Sequence, residues 1–315
     1  MVTYIVRRLI LSVIVLFIVS IIAFFLVRLV PGGDPARAML GLDASPQEVA
    51  TLQHQMWLDR PLLIQYTHWI GGILHGDLGT SFRYQSPVRN LIGARLPVTA
   101  YLAGVALIFS AIIGIAAGVI SAVTRGSLLD QIISILANMG MAIPVFFLGI
   151  LGIYIFGLDL GWLPISGFTS PFTDFGHSTR QIVMPVFCMG LTTLAVMTRQ
   201  TRSAMLEVVR QDYIRTARAK GLTQQTIILQ HALKNAFIPI ITLFGLAVPS
   251  LIAGSVLVET VFNIPGMGRL IVNAVINKDY PIVQAGIVII ATLIVIVNLV
   301  VDISYGWIDP RIRFH

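Results

Sequence analysis

The chain has 315 residues, a length that would ordinarily suggest two soluble domains. Hydrophobic residues make up 56% of it and charged residues 11%, with a mean hydropathy of +0.87. Soluble domains carry about 25% charge, so too little polar surface is present to cover a water-facing globule, and lipid must serve as solvent. The formal charge of +7 comes without basic–aromatic interleaving. It therefore marks the inner side of a membrane and excludes a nucleic-acid groove.

A membrane span needs about 20 apolar residues, because the hydrocarbon core is about 30 Å thick and a helix rises about 1.5 Å per residue. The first such segment covers 9–30, with one charge, Arg28, close enough to its end to snorkel. Its apolar run exceeds the usual 7–15 residues of a signal peptide and no A-x-A-like cleavage site follows, so an uncleaved anchor is expected. Residues 31–98 are long enough to fold outside the bilayer. Within them SPQE at 45–48 predicts a capped helix, with Ser45 as cap, Pro46 at the first position and Glu48 closing the box. A second short helix is expected from Pro61 to the glycines of GGILHGDLGT. Further spans are expected at 99–123, at 131–157 with an interruption at Pro144, at 181–198 containing Pro185, at 236–258 and at 282–305. The lone Cys188 excludes an internal disulfide framework and a Cys-based zinc site, and its apolar surroundings predict a packed thiol.

Basic residues set the orientation. Arg7, Arg8, Arg125, Arg311 and Arg313 fall on one side together with Arg199, Arg202, Arg210, Arg215, Arg218, Lys220 and Lys234. The short loops of the other side hold only Arg180, Arg269 and Lys278. Both termini are therefore expected in the cytoplasm. The chain divides into a tail and first helix at 1–30, an extracytoplasmic segment at 31–98 and a core at 99–315, which contains the cytoplasmic loop 199–235.

That loop is the most informative stretch. From Ser203 to Lys220 the pattern predicts one helix whose apolar stripe is Met205, Val209, Tyr213 and Ala217, with Val208 beside it. Glu207, Arg210, Asp212, Arg215 and Arg218 occupy its other faces. Gly221 is placed to end the helix in a left-handed conformation, and Thr223 can cap a second helix through IILQHALKNAF. Such an elbow fits either a hairpin lying on the inner membrane surface or a stripe received by a groove on a partner protein.

The run DYIRTARAKGL at 212–222 resembles the EAA coupling loop of ATP-binding-cassette importer permeases, in the version of the peptide and nickel (dipeptide, oligopeptide, glutathione, nickel) family. The general loop is Glu-Ala-Ala, three residues, then Gly. Here Arg215-Thr216-Ala217 precede Gly221 at that spacing, and the Glu is absent. The later Leu-Pro of the general pattern is absent too, and HALKNAFIP at 231–239 is similar to the HALRNA-x-x-P form of the peptide branch. Further stretches resemble the family in order. They are YIVRRLI with PGGDPA at 31–36, GDLGTSF at 76–82, LGWLPISG at 160–167, the VVET-type residues 258–261, FNIPGMGRL at 262–270, DYPIVQA at 279–285 and VDISYGWIDPRIR at 301–313.

The resemblance implies an all-α polytopic membrane protein with six transmembrane helices of the type I ABC importer permease kind, in a bacterial inner membrane. It implies a pore-forming subunit that imports di- or oligopeptides by alternating access, with glutathione or nickel as family alternatives. Its implied partners are a second homologous permease making a heterodimer, two ATP-binding subunits carrying ATP and Mg, an extracytoplasmic substrate-binding protein and the lipid bilayer. Tyr213, Arg215, Thr216, Ala217, Arg218, Ala219, Lys220 and Gly221 would form the ATPase-coupling interface. Tyr213 and Ala217 would dock while Arg215, Arg218 and Lys220 set register, and the 205–235 elbow would move as a lever.

The residues themselves add limits. The three lysines, Lys220, Lys234 and Lys278, are followed by Gly, Asn and Asp, so the chain has no Walker A loop and is not itself an enzyme; any ATP is hydrolysed by another polypeptide. No Ser/His/Asp set, HExxH or carboxylate pair falls on one element, and no cofactor is expected in this chain. His54, His68, His75, His177, His231 and His315 show no i,i+4 pair, so solvated or hydrogen-bonded loop histidines are expected, with a Ni²⁺ or Zn²⁺ route as the alternative. Glu259 and Asn298 are candidates for the translocation path; for Glu259 a hydrogen-bonded helix terminus is the equal alternative. Asp302 can meet Arg311, Arg313 or water, and GIAAG at 114–118 is expected to permit close helix packing. A secondary transporter working without ATPases is the reading of a different class, and it would be expected to carry more charge within its spans.

Overall fold

The computed structural model describes residues 2–29, 34–41 and 43–308. PGGDPA lies partly, and Arg311, Arg313 and His315 wholly, outside the described residues. The first apolar run forms α1 (Val2–Leu26), closed by a 3₁₀ turn (Val27–Leu29). Two short helices follow, α2 (Pro35–Leu40) and α3 (Pro46–Gln55). Ser45 caps α3 in the predicted box: its hydroxyl accepts the Glu48 N–H at 3.3 Å, and the Glu48 carboxylate accepts the Ser45 N–H at 2.9 Å. Helix α4 (Leu62–Leu74) begins after Pro61, as its sequence predicts. An unforeseen antiparallel pair then forms, β1 (Thr80–Ser81) with β2 (Ser86–Pro87).

The remaining helices are α5 (Val88–Val123), α6 (Leu128–Ala142), α7 (Val145–Gly152) with a π-helical extension (Ile153–Asp159), and α8 (Phe175–Val208). After them come α9 (Asp212–Ala219), α10 (Gln224–Thr226), a π-helical turn (Ile227–Ala232), α11 (Leu233–Val261), α12 (Met267–Ile276) and α13 (Tyr280–Ile308). Among the described residues, five helical stretches are long and apolar enough to cross a membrane: Ile5–Leu26, Val88–Val123, Phe175–Val208, Pro239–Val261 and Tyr280–Ser304. A sixth exists if α6 and α7 with its extension count as one span, and that pair is bent by 100°. The bend follows from Pro144, which drives Ile143 out of the helical region to φ −81°, ψ 125°. Pro185, by contrast, sits inside an unbroken α8.

The chain forms two compact units. Among the described residues, one comprises Thr99–Pro265 with Val300–Ile308, the other Val2–Val98 with Gly266–Leu299. In the first unit α8 is the central helix: 61% of its most apolar window is buried, against 33% for Pro239–Val261. Helix α5 runs along it through small residues four apart, Ala106, Ser110, Gly114, Gly118 and Ala122. The Ser110 hydroxyl donates to the Gly190 carbonyl at 2.8 Å. A Cβ on Gly114 would lie 2.9 Å from the Leu194 carbonyl, and one on Gly118 would lie 2.6 Å from the Thr198 carbonyl. GIAAG therefore permits close packing, as expected. Gly118→Ala should destabilise the protein by about 1–3 kcal/mol through overpacking. The readout is the thermal midpoint in detergent, with Gly104→Ala as control, because nothing lies within 4 Å of a Cβ there.

In the second unit α4 docks on the end of α1. Ser20 and Tyr66 share a hydroxyl hydrogen bond of 2.7 Å, and Phe24 meets the Tyr66 and Trp69 rings at 5.3 and 5.8 Å. Arg28 folds back instead of simply snorkelling. Its guanidinium lies 3.5 Å over the Phe24 ring and donates to the Phe24 carbonyl and the Gln65 amide oxygen. A separate core joins Val88 and Ile92 to Met267, Leu270 and Ala274 of α12 and to Ile282, Val283 and Ala285 of α13.

Candidate functional site

The predicted helix 203–220 is two helices. The chain leaves α8 at Val208, turns, and restarts α9 after Gln211, whose backbone is extended at φ −71°, ψ 150°. The break shifts the helical phase, so the buried residues beyond it are Ile214 and Ala217 in place of Tyr213 and Ala217. Ile214 is 0% and Ala217 7% exposed, and they pack with Met205, Ala122, Ile227, Ala232 and Ala236 in one core. Ala217 therefore faces this chain's own interior and offers no docking surface, a correction to the expected Tyr213–Ala217 face.

Gly221 adopts φ +78°, the left-handed conformation its place demands. Its N–H bonds the Arg218 carbonyl at 2.9 Å. Thr223 caps α10, accepting the Thr226 N–H at 3.4 Å. From Gln224 the backbone stays helical through the π turn into α11, so the second limb of the elbow is continuous with a membrane-crossing helix. Tyr213, at 42% exposure, ties the limbs together: its hydroxyl accepts the Asn235 side-chain N–H at 2.9 Å. Tyr213, Gln230, His231, Lys234 and Asn235 line an open cleft of about 760 Å³.

Arg215, Thr216, Arg218, Ala219, Lys220 and Gly221 are all exposed on the outer side of α9 and its turn. Asp212 and Arg215 approach to 3.6 Å with both side chains in solvent, a pair worth little to stability. What remains is a basic, outward face set on an apolar base. Such a face suits an acidic or polar protein groove.

The other candidates separate. Glu259 is 0% exposed near the C-terminus of α11 and accepts the Thr99 hydroxyl at 2.6 Å. Asn298 sits half-buried in α13. Among the histidines, His54 meets Asp59 at 3.0 Å, His68 stacks on Trp57 at 4.0 Å and His75 bonds the Gly71 carbonyl at 2.8 Å. Cys188 is buried.

Motifs distant in sequence meet. The Ser81 hydroxyl of GDLGTSF donates to the buried carboxylate of Asp279 in DYPIVQA, which also accepts the Arg83 N–H at 3.1 Å. The Gly167 N–H closing LGWLPISG donates to the Phe262 carbonyl at 3.0 Å. Sequence reasoning also missed the pair Asp130–Arg202, an ion pair of 2.8 Å at the foot of α8.

Comparison with known proteins places this geometry. The family profile described as binding-protein-dependent transport system inner membrane component matches residues 114–314, and its N-terminal companion matches 1–103. The di/tripeptide transport system permease protein DppB of Pseudomonas aeruginosa is 41% identical, over 99% of each chain. The dipeptide permease DppB of Alkalihalophilus pseudofirmus is 39% identical over 100% of each, and the glutathione permease GsiC of Escherichia coli O6:H1 is 40% identical over 100% of each. A chain of the MetNI methionine ABC transporter, inward-facing, superposes with a TM-score of 0.58 at 18% identity. The match covers 70% of this chain and 96% of that one, and it shows the shared fold.

Proposed function

Because the chain belongs to the family of binding-protein-dependent transport system inner membrane components, we propose that it is the permease subunit of an ATP-driven importer of di- and oligopeptides. The observation that carries this reading is its full-length likeness to permeases named for di- and tripeptides. The chain has no nucleotide-binding loop, so two separate ATPase subunits supply the energy, and their clefts receive the exposed basic face of α9. A second, homologous permease completes the pore and an extracytoplasmic binding protein delivers cargo. The chain crosses the inner membrane six times, the bent pair α6–α7 included, with both termini and the α9 elbow in the cytoplasm.

Closure of the ATPases on ATP moves the elbow together with α8 and α11, and so biases the helices between inward- and outward-open packings. The bias comes from contacts that differ between the two states, since an equal contact shifts nothing. The likeness to glutathione permeases makes glutathione, a γ-linked tripeptide, the alternative cargo.

The test is uptake of a labelled dipeptide into proteoliposomes containing the assembled complex, with unlabelled glutathione and Ni²⁺ as competitors. ATP-dependent dipeptide uptake that neither competitor blocks is the expected result. Block by glutathione or by Ni²⁺ reassigns the cargo. Uptake by this chain alone, without ATPases, would make it a secondary transporter and overturn the reading.

A further inference from the structure

We propose that Asp130 and Arg202 are positioning residues for energy coupling: their ion pair locks α5, α6 and α8 together at the point where α8 leaves the bundle for the elbow. This rests on the reading of the α9 face as the ATPase contact.

The geometry is a two-pronged fork. Arg202 donates Nε–H to one carboxylate oxygen of Asp130 at 2.8 Å and Nη2–H to the other at 2.9 Å. The Ser121 hydroxyl, on α5, donates to the first oxygen, and the Gly126 N–H, in the turn between α5 and α6, donates to the second at 2.9 Å. A carboxylate has about four lone-pair sites, and here four donors from three elements fill them. Asp130 is itself fixed in the first turn of α6, where its N–H donates to the capping Ser127 hydroxyl at 3.3 Å. Its side chain is 6% exposed and that of Arg202 30%, so the pair is largely withdrawn from solvent.

Its place along α8 gives it a role beyond packing. Arg202 lies three residues before Met205, which is fully buried in the core that also holds Ile214 and Ala217 of α9. Ser121 is next to Ala122, a member of the same core. A push on the elbow therefore reaches the fork within one helical turn. The small-residue seam between α5 and α8 lets the helices touch, and its one described polar tie, Ser110 to the Gly190 carbonyl, lies far up α8 from the elbow. A guanidinium fork has one orientation, so it fixes the rotation of α8 against α5 and α6. Apolar residues of similar volume could stabilise this spot equally well, but they would not set direction.

The test uses the assembled transporter in proteoliposomes and reads cargo imported per ATP hydrolysed, alongside complex yield and thermal midpoint. Arg202→Lys keeps the charge and loses the fork; Ser121→Ala removes a single donor and guards against failure of the lysine variant to fold. In complexes of normal yield, import per ATP should fall about tenfold for Arg202→Lys and less, in the same direction, for Ser121→Ala. If the ratio stays constant while the thermal midpoint drops, the pair is merely structural and the proposal is overturned. Cross-linking from Gln225→Cys, exposed at the elbow beside the α9 face, to the ATPase separates the two readings. Its absence in the transporter with the fork intact sinks the coupling interface itself; its presence with an unchanged ratio sinks only the fork.

Discussion

Ala217→Asp is expected to abolish import by unseating the elbow, whereas Arg218→Glu, one residue later, is expected to abolish coupling with the elbow intact. The contrast follows from their opposite faces. Ala217 is packed against Met205, Ile214 and Ala232, where a carboxylate finds no cation among the described residues of its core. An unpaired buried charge costs about 3–5 kcal/mol, more than a limb of about two turns such as α9 can hold against. Limited proteolysis should then cut between 209 and 223, and the ATPase subunits should no longer co-purify. Arg218 is exposed, so reversing its charge leaves the core untouched and turns attraction toward an acidic groove into repulsion. Proteolysis should be unchanged, while ATPase association weakens and becomes less sensitive to salt. Normal import by Ala217→Asp would mean that the elbow is not seated as described. Normal import by Arg218→Glu together with Arg215→Glu would mean that another surface meets the ATPases.

The apolar segments were legible because a bilayer imposes a length that composition alone reveals. Their helices were not bounded by it. Helix α5 begins at Val88, ahead of the expected 99, and α8 spans 34 residues, about 50 Å at the helical rise and well past the hydrocarbon core. Hydropathy locates the lipid, not the helix end. Pro144 announced an interruption, but the 100° bend depends on where Ile143 goes once it leaves the helix. Helix α12 was hidden in a stretch read as a short loop, although Met267, Leu270, Ile271 and Ala274 follow a helical period.

Within the site, the elbow, its left-handed Gly221 and the Thr223 cap could all be read locally, because each depends on a few neighbouring residues. The phase of α9 could not. A stripe repeating every four residues from Met205 fits an unbroken helix, and nothing local marks the extended Gln211 that resets it. Long-range polar partners were wholly invisible. Arg202 reads as one more basic residue of a cytoplasmic loop until the fold brings Asp130 to it from 72 positions away. The carboxylate that fastens the β1–β2 hairpin is more remote still, 198 positions from its partner.

That carboxylate gives a further large effect: Asp279→Ala should free the hairpin and abolish import, whereas Asp279→Asn should be nearly silent. Asp279 is 1% exposed. Its Oδ2 accepts both the Ser81 hydroxyl and the Arg83 N–H, and Ser81 Oγ in turn accepts the Tyr84 N–H at 3.0 Å. Alanine orphans two donors and leaves a void, a loss of about 2–5 kcal/mol concentrated on a two-rung strand pair. Asparagine keeps an acceptor at the Oδ2 position. Its amide would take the place of Oδ1, an oxygen with no hydrogen-bond donor among the described residues, so no existing bond is lost. Proteolysis of the purified protein between 80 and 87 is the direct readout, and Ser81→Ala combined with Asp279→Ala should cost less than the sum of the two. If alanine leaves both protease resistance and import unchanged, the hairpin is held by the packing of Leu78 and Gly79 against the α12–α13 core. The link between GDLGTSF and DYPIVQA would then be one of contact alone. If asparagine fails as badly as alanine, the negative charge itself is what position 279 must provide.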